Sequence, residues 1–482
     1  MADPQVSLID AVRARFGAKA VIDDPHDIAP WLSDWRGRYH GAARAILAPG
    51  STAEAAAIVG MAHAAGVALV PQGGNTSMVG GATPPEDGSA LILSTRRLNR
   101  VRSIDADANL AVAEAGVILA NLHSAALEVG RRFPLTLGAR GSATIGGLVS
   151  TNAGGTQVLR FGTTRSLVAG IEAVLPDGAL YEGLAALKKD NRGYDLKELL
   201  IGAEGTLGVV TAATLRLVPA AIDRATGWLA VESPGDALKI LRAMEAQSGA
   251  AIESFELVPK LALDLVLKHI PGTRSPLVGA RPWHVLIDYV SQSYAVEAQP
   301  ALEALMAGVL SAGLAQDGVV AASEAQAEAF WRLRDSISEA ERAEGPTMAH
   351  DISVPVDAMP DFMLRAAAQV EAAFPGVHAS AFGHLGDGNV HFHVNAPRGA
   401  DAERWRADVG EPASHMVYDL VVAAGGSISA EHGIGQMKLD ELERLSSPAR
   451  LAMLRAIKGA LDPMVLMNPG KLVTLAPARA AP

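Results

Sequence analysis

The 482-residue chain carries a net charge of −11, is 49% apolar and 19% charged, and contains no cysteine. Its length exceeds what one hydrophobic core serves, so two or three domains sharing an active site are expected, and its composition excludes a disordered chain. The acidic balance without any Lys/Arg run argues against nucleic-acid and anionic-membrane partners, and the missing thiols exclude disulfides, Cys-ligated zinc or iron–sulfur clusters and a Cys nucleophile.

Residues 7–17 are predicted as an amphipathic helix. Asp and Arg interrupt its apolar residues, so it does not read as a signal peptide. No run of about 18 apolar residues could span a bilayer, and a cytoplasmic location is the expectation. A loop through residues 34–50 leads into a short strand, and a helix follows with Thr52 as its cap. ALVPQGG is predicted as a strand running into a Gly-rich loop. Short Val/Ile/Leu strands broken by glycine clusters continue to about residue 218. Beyond Pro219 the amphipathic stretches ALKILRAMEAQSG and YAVEAQPALEALMAGVLSAG alternate with the strands WLAVES, WHVLIDYV and GNVHFHV. That alternation predicts a second α+β domain packed on an antiparallel sheet. From about residue 440 the tail is helical and ends in MNPGK.

PQGGNTSMVGG, residues 71–81, holds four glycines in eleven positions directly after a strand. Glycine lets backbone N–H groups approach an anion closely, and successive N–H groups form a nest for phosphate. Taken alone, a Gly pair marks only a turn. No Gly-Lys-Ser/Thr ends the loop, and no Gly-x-Gly-x-x-Gly follows the first strand, so neither a P-loop nor a nicotinamide-dinucleotide unit is supported. GSATIGGLVSTNAGG, residues 141–155, reads as a second small-residue loop with five glycines, and GAEGTLGVVT, residues 202–211, has the same character. Three such loops exceed what turns require and would let a flat ring or a pyrophosphate lie against the backbone.

FGHLGDGNVHFHV spans residues 382–394. In a strand His391 and His393 share a face, and a hairpin through Gly386-Asp387-Gly388 would return His384 beside His391. Two imidazoles and a carboxylate make a Zn2+ or Mn2+ site with open positions. The carboxylate candidate is Glu431 in SAEHGIG, with His432 beside it as a base. Adjacent strand residues face opposite ways, so both serve one site only if the backbone turns there. Three hydrogen-bonded strand histidines and a surface Glu-His pair are the plain alternative.

PxGGNTS, GSATIGGLVSTNAGG and EGTLGVVT together resemble the FAD-binding domain of the vanillyl-alcohol oxidase superfamily. The likeness is to the branch of D-2-hydroxyglutarate dehydrogenase, D-lactate dehydrogenase and the glycolate oxidase FAD subunit, and it runs from about DWRGRY to MNPGK. It implies an α+β fold: a two-lobed FAD domain over 1–218, a cap or substrate domain over 219–425, and a C-terminal segment, 426–482, returning to the flavin. It implies that Pro71, Gly73, Gly74, Asn75, Thr76 and Ser77 bind the cofactor, the middle four on its pyrophosphate. Gly138, Gly141, Ser142, Thr144, Gly147, Asn152 and Gly154 would line the flavin after Pro134 and Leu135. Glu204, Gly205 and Val210 would contact the adenosine half, and Asn468 would reach the flavin from the tail. Asn75 stands where some relatives tether FAD through a His, so the FAD is expected to be non-covalent.

The resemblance also gives His384, His391 and Glu431 as metal ligands and His432 as the catalytic base. Arg334 matches the arginine that pairs with substrate carboxylate, Ser338 stands where Thr is usual, and His393 where Asn is common. The implied activity is metal-assisted, FAD-dependent oxidation of a D-2-hydroxy acid. The implied acceptor is an electron-transfer flavoprotein or quinone, not NAD or oxygen, and a homodimer is compatible with the sequence. A diacid pocket should show fixed cations, because burying an unpaired carboxylate costs several kcal/mol. A Lys usual in this stretch is Ala349 here, which favours a monoacid such as D-lactate or a longer homologue. Protonated His393, or His350 beside Ala349, would weaken that preference. D-2-Hydroxyglutarate, or a role as the FAD subunit of a glycolate oxidase-like complex, is the alternative.

Overall fold

ALILS is apolar at four of five positions, and the structure buries the whole strand Ala90–Ser94 at the centre of a four-stranded sheet. It pairs in parallel with Ala68–Gln72 on one side and Ile46–Leu47 on the other, while Val21–Ile22 closes the edge antiparallel. Parallel neighbours need a crossover, supplied between Ile46–Leu47 and Ala68–Gln72 by the helix Thr52–Ala65. Its N-cap is Ser51, whose hydroxyl accepts from Glu54 N at 3.2 Å, and not Thr52 as expected. Thr52 is the first helical residue, and its hydroxyl donates to Glu172 at 2.6 Å. The helix stops at Gly66, φ 65°, the left-handed closure glycine favours. A second, five-stranded antiparallel sheet runs Val101–Asp105, Leu110–Glu114, Val209–Arg216, Val168–Val174, Leu180–Gly183. These two sheets are the two lobes.

The computed structural model describes residues 3–475. They form two compact units. The first holds the residues through Gly154, Gly162–Pro219 and the chain from Glu431; the second holds Gly155–Phe161 and Ala220–Ala430. Nothing in the sequence announces that 155–161 joins the second unit. There Arg160 Nη1 meets Glu253 at 2.6 Å, and Ser254 donates to Thr156 O at 2.7 Å.

The second unit is built on a seven-stranded antiparallel sheet. Its order is Asp317–Val320, Asp223–Val231, Trp283–Ser291, Ile252–Pro259, His378–His384, Asn389–Asn395, Thr347–Ser353. Trp228, Val258, Phe330 and Phe382 centre one of its apolar cores. The helix expected from Tyr294 begins at Ala298, because Pro300 is tolerated only in a first turn.

GSATIGGLVSTNAGG is not one continuous loop. Ile145–Thr151 is a short helix, ended by Asn152 at φ 50°. No helix among the described residues is long and apolar enough to cross a membrane.

Candidate active site

In the first unit the glycine loops touch one another. A Cβ on Gly73 would lie 2.2 Å from Thr144 Oγ1, and one on Gly74 would lie 1.9 Å from Ser142 O. The two loops therefore approach as only glycine permits. Thr144 Oγ1 is buried with no hydrogen-bond partner, an orphan of the kind a bound ligand satisfies. Gly138 and Gly141 face open space, with nothing within 4 Å of an added Cβ. A tight backbone cradle, an orphaned hydroxyl and open space beside glycines fit a flat, phosphate-bearing cofactor.

Several residues expected on the cofactor also brace the loops. Asn75 takes φ 54° and donates from Nδ2 to Ser33 O at 2.8 Å. Ser77 Oγ accepts from Gly81 N at 3.0 Å. Asn152 accepts from Arg165 N at 2.9 Å. Pro134 and Leu135 are buried, and Leu135 O meets His123 at 2.9 Å. Gly205, φ 72°, lies over the Pro71 ring, and Val210 is buried in its strand. Asn468 Nδ2 donates to Gly81 O at 2.9 Å and Glu204 O at 2.7 Å, tying the first loop to the third.

Glu204 is held within the fold. Its two carboxylate oxygens accept from Ile434 N and Gly435 N, both at 2.7 Å, and its N–H donates to Ser150 O at 2.8 Å. Residues 431–435 are not a strand: bends and Gly433, φ 81°, turn the backbone. A Cβ on Gly154 would lie 2.6 Å from Glu431 Oε1. Thus His432 sits in a segment packed on all three glycine loops, since Gln436 also donates to Val79 O and Gly80 O.

In the second unit, antiparallel register sets a row of polar residues on one sheet face. Glu256 stands opposite His384, Phe382 and Asp351 flank His391, and Ser380 and Ala349 flank His393. His384 Nδ1 meets Glu256 Oε1 at 2.5 Å, and Arg334 Nε donates to Glu256 Oε2 at 2.8 Å. Burial works to raise Glu256, but the His384 and Arg334 charges win and hold its carboxyl down at about 2. Arg334 Nη2 lies 3.2 Å from His384 Nε2. Burial works to lower His384, but the Glu256 carboxylate wins and raises its imidazole to about 9; a metal ion binds only the neutral ring, so it would displace the Nε2 proton and leave Nδ1–H on Glu256. Burial, then Arg334 and His384, hold His391 well below the usual histidine range. The two rings lie 5.5 Å apart, and a carboxylate on the outer nitrogen is the usual support of a metal-bound histidine. The donor chemistry fits a divalent cation. Arg334 is a cluster member and not a solvated helix arginine. Ser338 is half-buried on the helix Ile337–Glu344.

His393 is buried, with Nδ1 on the buried Glu341. His350 lies on the opposite side of its strand from Ala349, bonded to Phe392 O and Ser414 Oγ, both at 2.8 Å. Sequence reasoning missed Glu256, Glu341 and Asp351. For Glu256 the available signal was a carboxylate within the largely apolar run FELV, because an acidic residue is rarely fully buried unless paired.

Residues 43–183 match an FAD binding domain, and residues 222–472 match the family of FAD linked oxidases, C-terminal domain. A D-2-hydroxyglutarate dehydrogenase of Xanthomonas citri pv. viticola is 38% identical over 98% of this chain and 97% of its own. The mitochondrial D-2-hydroxyglutarate dehydrogenase of Bos taurus is 37% identical over 94% and 81%. A putative mitochondrial D-lactate dehydrogenase of Schizosaccharomyces pombe is 32% identical over 93% and 85%. Among solved structures, p-cresol methylhydroxylase shares the fold at TM-score 0.72 and 13% identity, covering 98% of this chain and 97% of that one. An alkyldihydroxyacetonephosphate synthase shares it at 0.71 and 17%, covering 96% and 86%. The chain belongs to the family of FAD-linked oxidases.

Proposed function

We propose that the protein is an FAD-dependent dehydrogenase that oxidises a D-2-hydroxy acid to the 2-oxo acid with a divalent metal, Zn2+ or Mn2+, at His384, His391 and Glu431. The observation that carries this reading is the Glu256–His384–Arg334 cluster beside His391, which combines metal-binding imidazoles with a cation for an acid substrate. When bound, FAD accepts the C2 hydride and the metal, as a Lewis acid, acidifies the substrate hydroxyl. His432 takes the hydroxyl proton. Arg334 orients the carboxylate, and Glu256 keeps the His384 proton on Nδ1. The acceptor proposed is an electron-transfer flavoprotein or quinone. A chelator-stripped enzyme should lose turnover while keeping FAD; full activity without metal overturns the ligand assignment.

Within this class we favour a monoacid. Arg334 is held by Glu256, His393 by Glu341, and His350 by Phe392 O and Ser414. Arg334 is assigned to the first carboxylate, the two imidazoles are bonded within the fold, and Ala349 adds no charge for a second. The D-2-hydroxyglutarate dehydrogenases among the relatives favour the second reading, D-2-hydroxyglutarate itself. The test is flavin bleaching and kcat/KM for D-lactate, D-2-hydroxybutyrate, D-2-hydroxyisocaproate, D-mandelate, D-malate and D-2-hydroxyglutarate. Monoacids should lead. A tenfold lead for a diacid, about 1.4 kcal/mol of transition-state preference, establishes the second reading instead. No bleaching by any of them overturns the activity.

A further inference from the structure

Glu204 is an unusual residue for a glycine-rich loop. It is 8% exposed, takes a left-handed φ of 52°, and reaches 230 positions along the chain to the backbone of Ile434 and Gly435. Both oxygens are used, one per amide, at 2.7 Å. Burial pushes the Glu204 carboxyl up, and the two amide bonds with the nearby Lys438 and Lys471, each 2% exposed, work against it. The fit leaves no slack, since a Cβ on Gly433 would lie 2.7 Å from Glu204 Oε1. The two amides follow His432 by two and three positions.

We propose that Glu204 is a positioning residue for the oxidation: its carboxylate clamps the turn after His432 and so aims the imidazole. The proposal rests on the reading of His432 as the base. Two adjacent amide donors need two acceptor oxygens. Aspartate is one methylene too short to reach, and glutamine offers one acceptor and turns an N–H against the other amide. A base displaced by about an ångström loses rate without losing substrate affinity, on the order of 10²-fold in kcat.

The experiment compares FAD-loaded wild-type, Glu204→Gln and Glu204→Asp enzymes, with His432→Ala as the reference for a lost base. Flavin content, kcat, KM and the pH profile of kcat are measured, together with hydrogen exchange in the 431–438 peptide. Both Glu204 variants should keep FAD and hold KM within about threefold, while kcat falls about 10²-fold. The pH profile of what remains should move toward that of His432→Ala, and the 434 and 435 amides should exchange at least about tenfold faster. If the glutamine variant does not fold, the aspartate variant carries the test. Unchanged kcat or unchanged exchange overturns the proposal. So does loss of FAD with wild-type kcat per bound flavin, which would assign Glu204 to the nucleotide. A His432→Ala enzyme at full rate removes the base reading alone, and the kcat and exchange of the Glu204 variants then decide whether the segment is held for turnover.

Discussion

Gly74 and Gly141 separate two reasons for a glycine. A methyl on Gly74 would meet Ser142 O at 1.9 Å and its carbon at 2.9 Å, backbone atoms that cannot rotate away. A methyl on Gly141 would meet nothing within 4 Å. Gly74→Ala should therefore push the first two loops apart, costing about 1–3 kcal/mol of stability as overpacking does, and lose FAD. Gly141→Ala should leave the melting temperature of the FAD-free protein unchanged and weaken FAD binding if the cofactor lies against it. Melting curves with and without FAD and the flavin content of each variant check both. A Gly74→Ala protein with full FAD would mean the loops tolerate separation. At this scale glycine spacing and the two histidine motifs were legible, because a backbone cradle and a hairpin are local. Glu256, Glu341 and the partners of Glu204 were not, since these contacts lie far along the chain and a carboxylate's partner cannot be read from its neighbours.

The strands Asp223–Val231 and Trp283–Ser291 show how a pair of elements stores a pH response. Across them Trp228 Nε1 donates to His284 Nδ1 at 3.1 Å, and both side chains are buried. An indole only donates, so the pair requires neutral imidazole. Burial, the largest influence, lowers the His284 pKa to about 4 from its ordinary 6.5. The unfolded chain binds that proton at higher pH than the folded one. The stability is therefore complete above about pH 6.5 and is lost as pH falls toward 4, by at most about 3 kcal/mol. Denaturant unfolding of wild type and His284→Gln at pH 7 and pH 4.5 checks this. The variant, whose amide oxygen can accept from Trp228, should lose less on acidification, and equal losses contradict the assignment. Elements as a class were legible where hydrophobic period was strong, as in WHVLIDYV and ALKILRAMEAQSG. The helix Ile145–Thr151 was hidden because its Gly-Gly pair disfavours helix in isolation. Tertiary packing imposes it: Gly146 lies so close to Ala115 that a Cβ would sit 2.6 Å from the alanine's own.

For the whole molecule, FAD should be held by shape and hydrogen bonds alone. The chain has no cysteine, and Asn75, which the family resemblance sets where a tethering histidine would stand, donates to Ser33 O. Acid or heat precipitation should leave yellow FAD in the supernatant; a yellow pellet would reveal a covalent link. The α+β class of the second unit followed from the change of periodicity after Pro219, and the two-lobed FAD domain from the resemblance of the glycine loops. The detour of 155–161 did not, since seven residues carry no period of their own.

The first unit is also discontinuous, and its last piece works as a bolt. Leu69 pairs with Met467, and Asn468 N donates to Leu69 O at 2.8 Å. The buried Lys458 holds Thr206 O, Asp462 and Met467 O together at 2.5–2.9 Å. During synthesis, at roughly 5–20 residues per second, the glycine loops thus leave the ribosome well before the segment that fastens them. The intervening second unit, with its histidine cluster, is complete first. The loops of the nucleotide cradle are thus made before the segment that fastens them.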